Sequence, residues 1–179
     1  MDADEFWCFL ERSALETKSP RERTGWLEYR LSRVSETHIV DFQSHLNAAR
    51  RPIDTYAMWG AAYQIMDGLC GDDGFWYFQP WLIGQGRKWY EHAARDADNL
   101  ADVPGVRVLS GRPSREWSDA EWPQWEELSY VAVPAGTTSS GRWHRAQGRP
   151  VSFLLQATMN RGVLAGMYLC HQPRKGAPP

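Results

Sequence analysis

Helix-start signals recur along the first half of the chain, and they constrain its fold more than any other feature. Ser19-Pro20-Arg21-Glu22 is the clearest of them. A serine hydroxyl can accept from the free amides of a first turn. Proline at the first helical position lacks an amide that would have no partner there, and a carboxylate at the third can reach back to the cap. Leu27, Leu31 and Val34 then supply a buried stripe. Asp2 stands three residues before Glu5, and Phe6, Phe9, Leu10 and Ala14 follow at helical spacing, which predicts a helix over 4–15. Ser35 caps a third helix with Ile39, Phe42, Leu46 and Ala49 on one face, and Pro52 closes it or opens the next. A fourth is expected from Asp54 to Met66, with Tyr56, Trp59, Ala62, Tyr63 and Met66 turned inward.

The series is interrupted at Gly68-Leu69-Cys70-Gly71-Asp72-Asp73-Gly74-Phe75. Three glycines and three aspartates between Met66 and Phe75 stop a helix and let the backbone enter positive φ. Asp72 is placed to cap a helix carrying Phe75, Phe78 and Leu82. Pro80 falls inside it and should kink it, because a backbone donor is lost and the ring meets the preceding turn. After Gly84 and Gly86, Trp89, Ala93 and Ala97 resume the helical period. From Ala101 to Trp122 the pattern loosens into a loop with one short helix after Ser118, and a helix of two to three turns through Trp125, Leu128 and Tyr130 ends at Pro134. The expected architecture is mainly α: a single compact helical domain over 1–134 with a kinked helix after the Gly-Asp-Asp-Gly turn, a linker over 135–148 and a less regular C-terminal segment over 149–179. Within that segment Val151 to Tyr168 suits either a strand or a buried helix, and Gln172 to Pro179 reads as disordered.

With 179 residues, 42% apolar and 13% aromatic, the chain can fill a sizeable core. A net charge of −2 and a pI near 6.2 argue against a nucleic-acid binder, which needs a basic face. No membrane span is expected: Gln156, Asn160 and Arg161 interrupt the most apolar stretch. Acidic residues directly after Met1 are unlike a secretory leader, and Cys8, Cys70 and Cys170 fit neither a disulfide framework nor a zinc motif, so a cytoplasmic location with reduced thiols is expected.

Trp59-Gly60-Ala61-Ala62-Tyr63, then Cys70-Gly71-Asp72-Asp73-Gly74-Phe75, then Trp81-Leu82-Ile83-Gly84-Gln85-Gly86-Arg87 form a specific pattern. With Phe6-Trp7 and Ala97-Asp98-Asn99-Leu100-Ala101, it resembles a bacterial family catalogued as domain of unknown function 4240. The likeness covers most of residues 1–104, with a fainter match at Glu127 to Val133. It implies no reaction, because the family is named for lacking an assigned one.

Asp72 and Asp73 are the first candidates for chemistry. Adjacent carboxylates can hold a basic group or a divalent cation, or act as acid and base; one can equally serve as cap and the other favour the helix dipole. Trp59 and Tyr63, four residues apart, share a helix face and with Trp76 and Trp81 form either a pocket wall or plain core. Cys70 before a helix start is a possible nucleophile or a bystander thiol. Gln85 and Glu127 lie in the family-like segments and are binding candidates. His38 and His45, on one flank of the third helix with Asp41, are metal candidates if Asp72 joins them, or a polar flank. No cofactor is expected beyond a possible divalent metal. Two readings follow. The first is a helical binding module for a small molecule, peptide or protein partner. The second is a small enzyme, such as a tailoring enzyme of specialised metabolism, using Asp72 or Asp73 in acid–base or metal-assisted chemistry.

Overall fold

The computed structural model describes residues 1–133, and every regular element among them is helical. The expected linker over 135–148, the segment over 149–179 with its strand-or-helix stretch, and Cys170 lie outside the described residues. The helices are α1 (Ala3–Glu16), α2 (Pro20–Leu31), α3 (Glu36–Arg50), α4 (Tyr56–Ile65), α5 (Asp72–Ile83), α6 (Arg87–Arg95) and the single turn α7 (Pro104–Arg107). Short 3-10 turns cover Arg51–Ile53, Ala97–Asp102, Ser114–Glu116 and Glu126–Ser129.

The cap residues explain most of the starts. Asp2 accepts the Glu5 amide and Glu5 accepts the Asp2 amide, each at 2.8 Å, which closes the box on α1. Ser19 accepts the Glu22 amide at 3.2 Å, but the Glu22 carboxylate takes the amide of Lys18 and leaves that of Ser19 alone. Ser35 caps α3, and Thr55 caps α4. The start of α5 corrects the sequence expectation: Gly71 is the N-cap, with no side-chain bond, and Asp72 and Asp73 occupy the first turn, where their charge meets the helix's positive end.

Phe6 and Leu10 of α1, Leu27 and Leu31 of α2, Phe42 and Leu46 of α3, and Phe78 and Leu82 of α5 are fully buried. Phe6 and Phe42 meet at 5.3 Å between ring centroids, which ties α1 to α3. Arg23 sits inside this packing, its guanidinium donating to the carbonyls of Leu10 and Gly84 and lying 4.4 Å from the centre of the Trp125 ring. Burial lowers its pKa to about 10.

Two segments differ from expectation for tertiary reasons. The chain at 126–129 is a 3-10 turn and not a longer α-helix. Trp125 pins it in place: its amide donates to the Tyr77 carbonyl at 3.0 Å and its indole N–H to the Thr24 hydroxyl at 2.9 Å. Residues 118–122 form turns instead of a helix, with the Glu121 carboxylate accepting both the amide and the hydroxyl of Ser118. The short helices of the 101–122 region are α7 and the turn at Ser114–Glu116.

Helix α5 continues across Pro80 to Ile83. Proline cannot donate to the carbonyl four residues back, that of Trp76. Arg50 supplies the missing donor: its Nη2 lies 2.6 Å from the Trp76 carbonyl oxygen, and its guanidinium stacks 3.5 Å from the centre of the Trp76 ring.

Candidate functional site

Helix α4 faces the opposite way from the sequence expectation for two of its aromatic residues. Met58, Ala62 and the following Met66 are buried, whereas Tyr56 is 63% and Tyr63 52% exposed. The slimmer thioether and methyl side chains pack against the core, and the bulkier phenols turn outward. Trp59 lies between, half-buried. Its indole N–H donates to the Cys70 carbonyl at 2.9 Å, and its ring stacks on Phe75 at 5.7 Å with an interplanar angle of 9°.

The turn that carries Cys70 is held on both sides. Asp67 (φ 50°) and Gly68 (φ 85°) are left-handed, and the Gly68 amide donates to the Tyr63 carbonyl at 2.8 Å, closing the end of α4. A side chain at Gly68 would be strained by its φ, and its first carbon would lie 3.3 Å from the Tyr63 hydroxyl. Asp67 accepts the Ser114 amide at 2.6 Å, and this bond holds its carboxyl below the usual range.

Between α4 and this turn lies an open depression of about 460 Å³ lined by Tyr56, Trp59, Gly60, Tyr63, Cys70 and Gly71. The rings of α4 wall it, and Gly60 keeps one side low, since a Cβ placed there would meet nothing within 4 Å among the described residues. Asp72 and Asp73 follow Gly71 directly, are exposed, and take no hydrogen bond or ion pair among the described residues. They stand outside the lining, and Asp73 lies close enough to Tyr77 to help raise that phenol's pKa, chiefly an effect of the phenol's burial.

The other sequence candidates are placed elsewhere. Trp76 is taken up by Arg50. Trp81 packs on Phe78 at 5.5 Å, and Trp81 with Gln85 closes over Gly105, leaving less than 3 Å for any Cβ there. Glu127 is exposed on the 126–129 turn. The expected pocket wall therefore shrinks to Trp59 and Tyr63. Tyr56, assigned to the core by periodicity, and the two glycines join them. Gly60 carried a readable signal: a glycine inside a helix costs about 1 kcal/mol against alanine, so its presence asks for a packing or functional reason.

Cys70 is 1% exposed, and burial raises its thiol to a pKa of about 11, opposite to the lowering expected beside a helix start. At neutral pH it is a thiol packed under Gly74, so its role as a nucleophile is withdrawn. The proposed metal set is likewise not assembled. His38 Nδ1 lies 2.7 Å from the Ser35 hydroxyl, and His45 Nε2 lies 3.1 Å from the Met1 carbonyl. Among the described residues no three His, Cys, Asp or Glu side chains gather closely enough to hold a metal ion. Asp41 is instead 2.6 Å from the Met1 amino group.

A family model described as protein of unknown function (DUF4240) matches residues 1–135. The chain belongs to this family. No curated protein and no solved structure matches it. All the residues lining the depression fall inside the span that defines the DUF4240 family. No helix among the described residues is long and apolar enough to cross a membrane.

Proposed function

We propose that the protein is a cytosolic helical binding module. The depression between α4 and the 66–71 turn receives a small molecule, or a side chain of a peptide or protein partner, with Asp72 and Asp73 beside it to attract a basic group. The observation that carries this reading is Gly60. It interrupts an aromatic helix face at a known energetic cost, has no neighbour among the described residues within 4 Å of a Cβ placed there, and lines the hollow that a side chain would fill. Trp59 supports it, since a ring fixed by both a hydrogen bond and a stack presents a rigid wall at little entropic cost.

Filling the hollow tests the reading without disturbing the core. Gly60→Leu meets no described residue within 4 Å of its Cβ and removes a helix-interior glycine, so the thermal midpoint is expected to stay level or rise. A library of small aromatic and alkyl amines is screened against both proteins by saturation-transfer NMR. Hits on the wild type that vanish in Gly60→Leu support the module. Hits unchanged by the substitution, or none at all, contradict it.

A further inference from the structure

A second cavity opens where α1, α3 and α6 meet, and it shares no residue with the α4 hollow. It holds about 180 Å³, and the rings of Phe6, Trp7, His45 and Tyr90 wall it. Ala3 and Ala48 stand at its edge, both exposed and both offering only a methyl group. The walls are held in place. Trp7 and Tyr90 meet at 4.9 Å between ring centroids and Phe6 and His45 at 5.7 Å, and the Tyr90 hydroxyl donates to the Ala49 carbonyl at 2.8 Å. An apolar protein cavity of about 150 Å³ is enough to take up benzene, so this one has room for a single six-membered ring with a small substituent.

Two polar groups of the wall have unmet needs of opposite kind. Trp7 is only 9% exposed, yet its indole N–H meets no acceptor among the described residues. His45 Nε2 lies 3.1 Å from the Met1 carbonyl oxygen, which can only accept, so Nε2 carries the proton and Nδ1 of the neutral ring keeps an open lone pair. A buried donor and a half-buried acceptor ask for a group that both takes and gives a hydrogen bond. An ammonium only donates and a carboxylate only accepts. Over residues 1–133, twenty-two Asp and Glu face fourteen Lys and Arg, and that field opposes an anion further. A hydroxyl is the smallest group that does both, and ring walls favour one carried on an aromatic ring.

We infer that this cavity is a binding site for a monocyclic phenol, whose ring packs between the aromatic walls while its hydroxyl accepts from the Trp7 indole and donates to His45 Nδ1. The site is separate from the module proposed above and does not depend on it.

The indole resonances of the full chain, labelled with 15N, report the site, with the Trp7 cross-peak assigned from Trp7→Phe. Phenol is titrated in alongside toluene, which lacks the hydroxyl, and cyclohexanol, which lacks the aromatic ring. A ligand this small is expected to bind with a dissociation constant on the order of 1 mM. Phenol should displace the Trp7 cross-peak saturably and bind about fivefold or more tightly than either analogue. Ala48→Leu fills the edge of the cavity and should abolish the displacement, and the thermal midpoint should hold because the position is exposed on α3 and leucine suits a helix. His45→Phe keeps a ring in the wall but removes the acceptor, and should bring phenol down to the affinity of toluene. A Trp7 cross-peak that stays still up to about 20 mM phenol, well beyond that dissociation constant, overturns the inference. Equal affinity for phenol and toluene in the wild type, or a phenol preference that survives either variant, also overturns it. A displacement centred on the Trp59 indole does so too, since it would put the phenol in the α4 hollow.

Discussion

The guanidinium of Arg50 replaces the hydrogen bond that Pro80 denies to Trp76. One nitrogen reaches the freed carbonyl at 2.6 Å, and the guanidinium carbon lies over the Trp76 ring, 3.5 Å from its centre. The bond fastens the end of α3 to the middle of α5. Helix α5 begins at the Asp72–Asp73 pair beside the hollow, so the seat of that pair depends on this clamp. Arg50 is 6% exposed, and burial lowers its pKa to about 10, so the clamp also carries a desolvation cost.

Removing the clamp strands a buried carbonyl. Arg50→Met is expected to destabilise the fold by about 2 kcal/mol in urea unfolding, a charge-assisted bond lost against some relief of desolvation. Pro80→Ala restores the amide that the carbonyl lacks. In the Arg50→Met background it should recover about 1 kcal/mol more than it does in the wild type. Strict additivity of the two changes would mean that Arg50 does not stand in for the missing donor.

The two described cysteines should behave in opposite ways. Cys8 is exposed on α1, whereas Cys70 is buried with a pKa of about 11. Iodoacetamide at pH 8 with peptide mapping should label Cys8 readily and Cys70 only at the rate of unfolding, because the thiolate is the reactive form. Prompt labelling of Cys70 in the folded protein would show the turn to be open.

Acid stability should depend on Glu121. Its carboxylate is held by Arg112 and by the Ser118 amide and hydroxyl, which lower its pKa from 4.5 to about 2. A depressed carboxylate stabilises the fold fully above its unfolded value and loses that contribution as pH falls toward the folded value. The window is therefore pH 4.5 down to 2. Glu121→Gln should be less stable than the wild type at pH 6, and the gap between them should narrow across that window in thermal melts. A gap that stays constant between pH 6 and pH 2 would contradict the pairing.

Much of the helical frame was legible in local chemistry. Asp2, Ser19 and Ser35 announce their helices because a cap is a contact over three residues, visible without a fold. Gly71 took the cap position expected of Asp72, with no side-chain bond, and Asp72 moved into the first turn. Rotation of α4 was not legible. Tyr56, Trp59 and Tyr63 form one stripe at helical spacing and Met58, Ala62 and Met66 another, and only the shape of the opposing core decides which one turns inward. The 126–129 turn was missed for the same reason, because the contacts that hold Trp125 come from Tyr77 and Thr24, distant in sequence. At the site, Trp59 and Tyr63 were found from their spacing. Trp81 and Gln85 were lost to Gly105, a packing partner that no motif reveals.

The central claim, that the Gly60 hollow is where this protein meets its ligand, is tested most directly by 19F NMR. The full chain is labelled with 3-fluorotyrosine, its resonances assigned by single Tyr→Phe variants, and benzyltrimethylammonium titrated in. Tyr56 and Tyr63 line the depression, whereas Tyr29, Tyr77, Tyr90 and Tyr130 do not. Saturable shifts confined to Tyr56 and Tyr63 are the expected result. Shifts centred on Tyr29, Tyr77, Tyr90 or Tyr130, or no shift at any tyrosine, would contradict the claim.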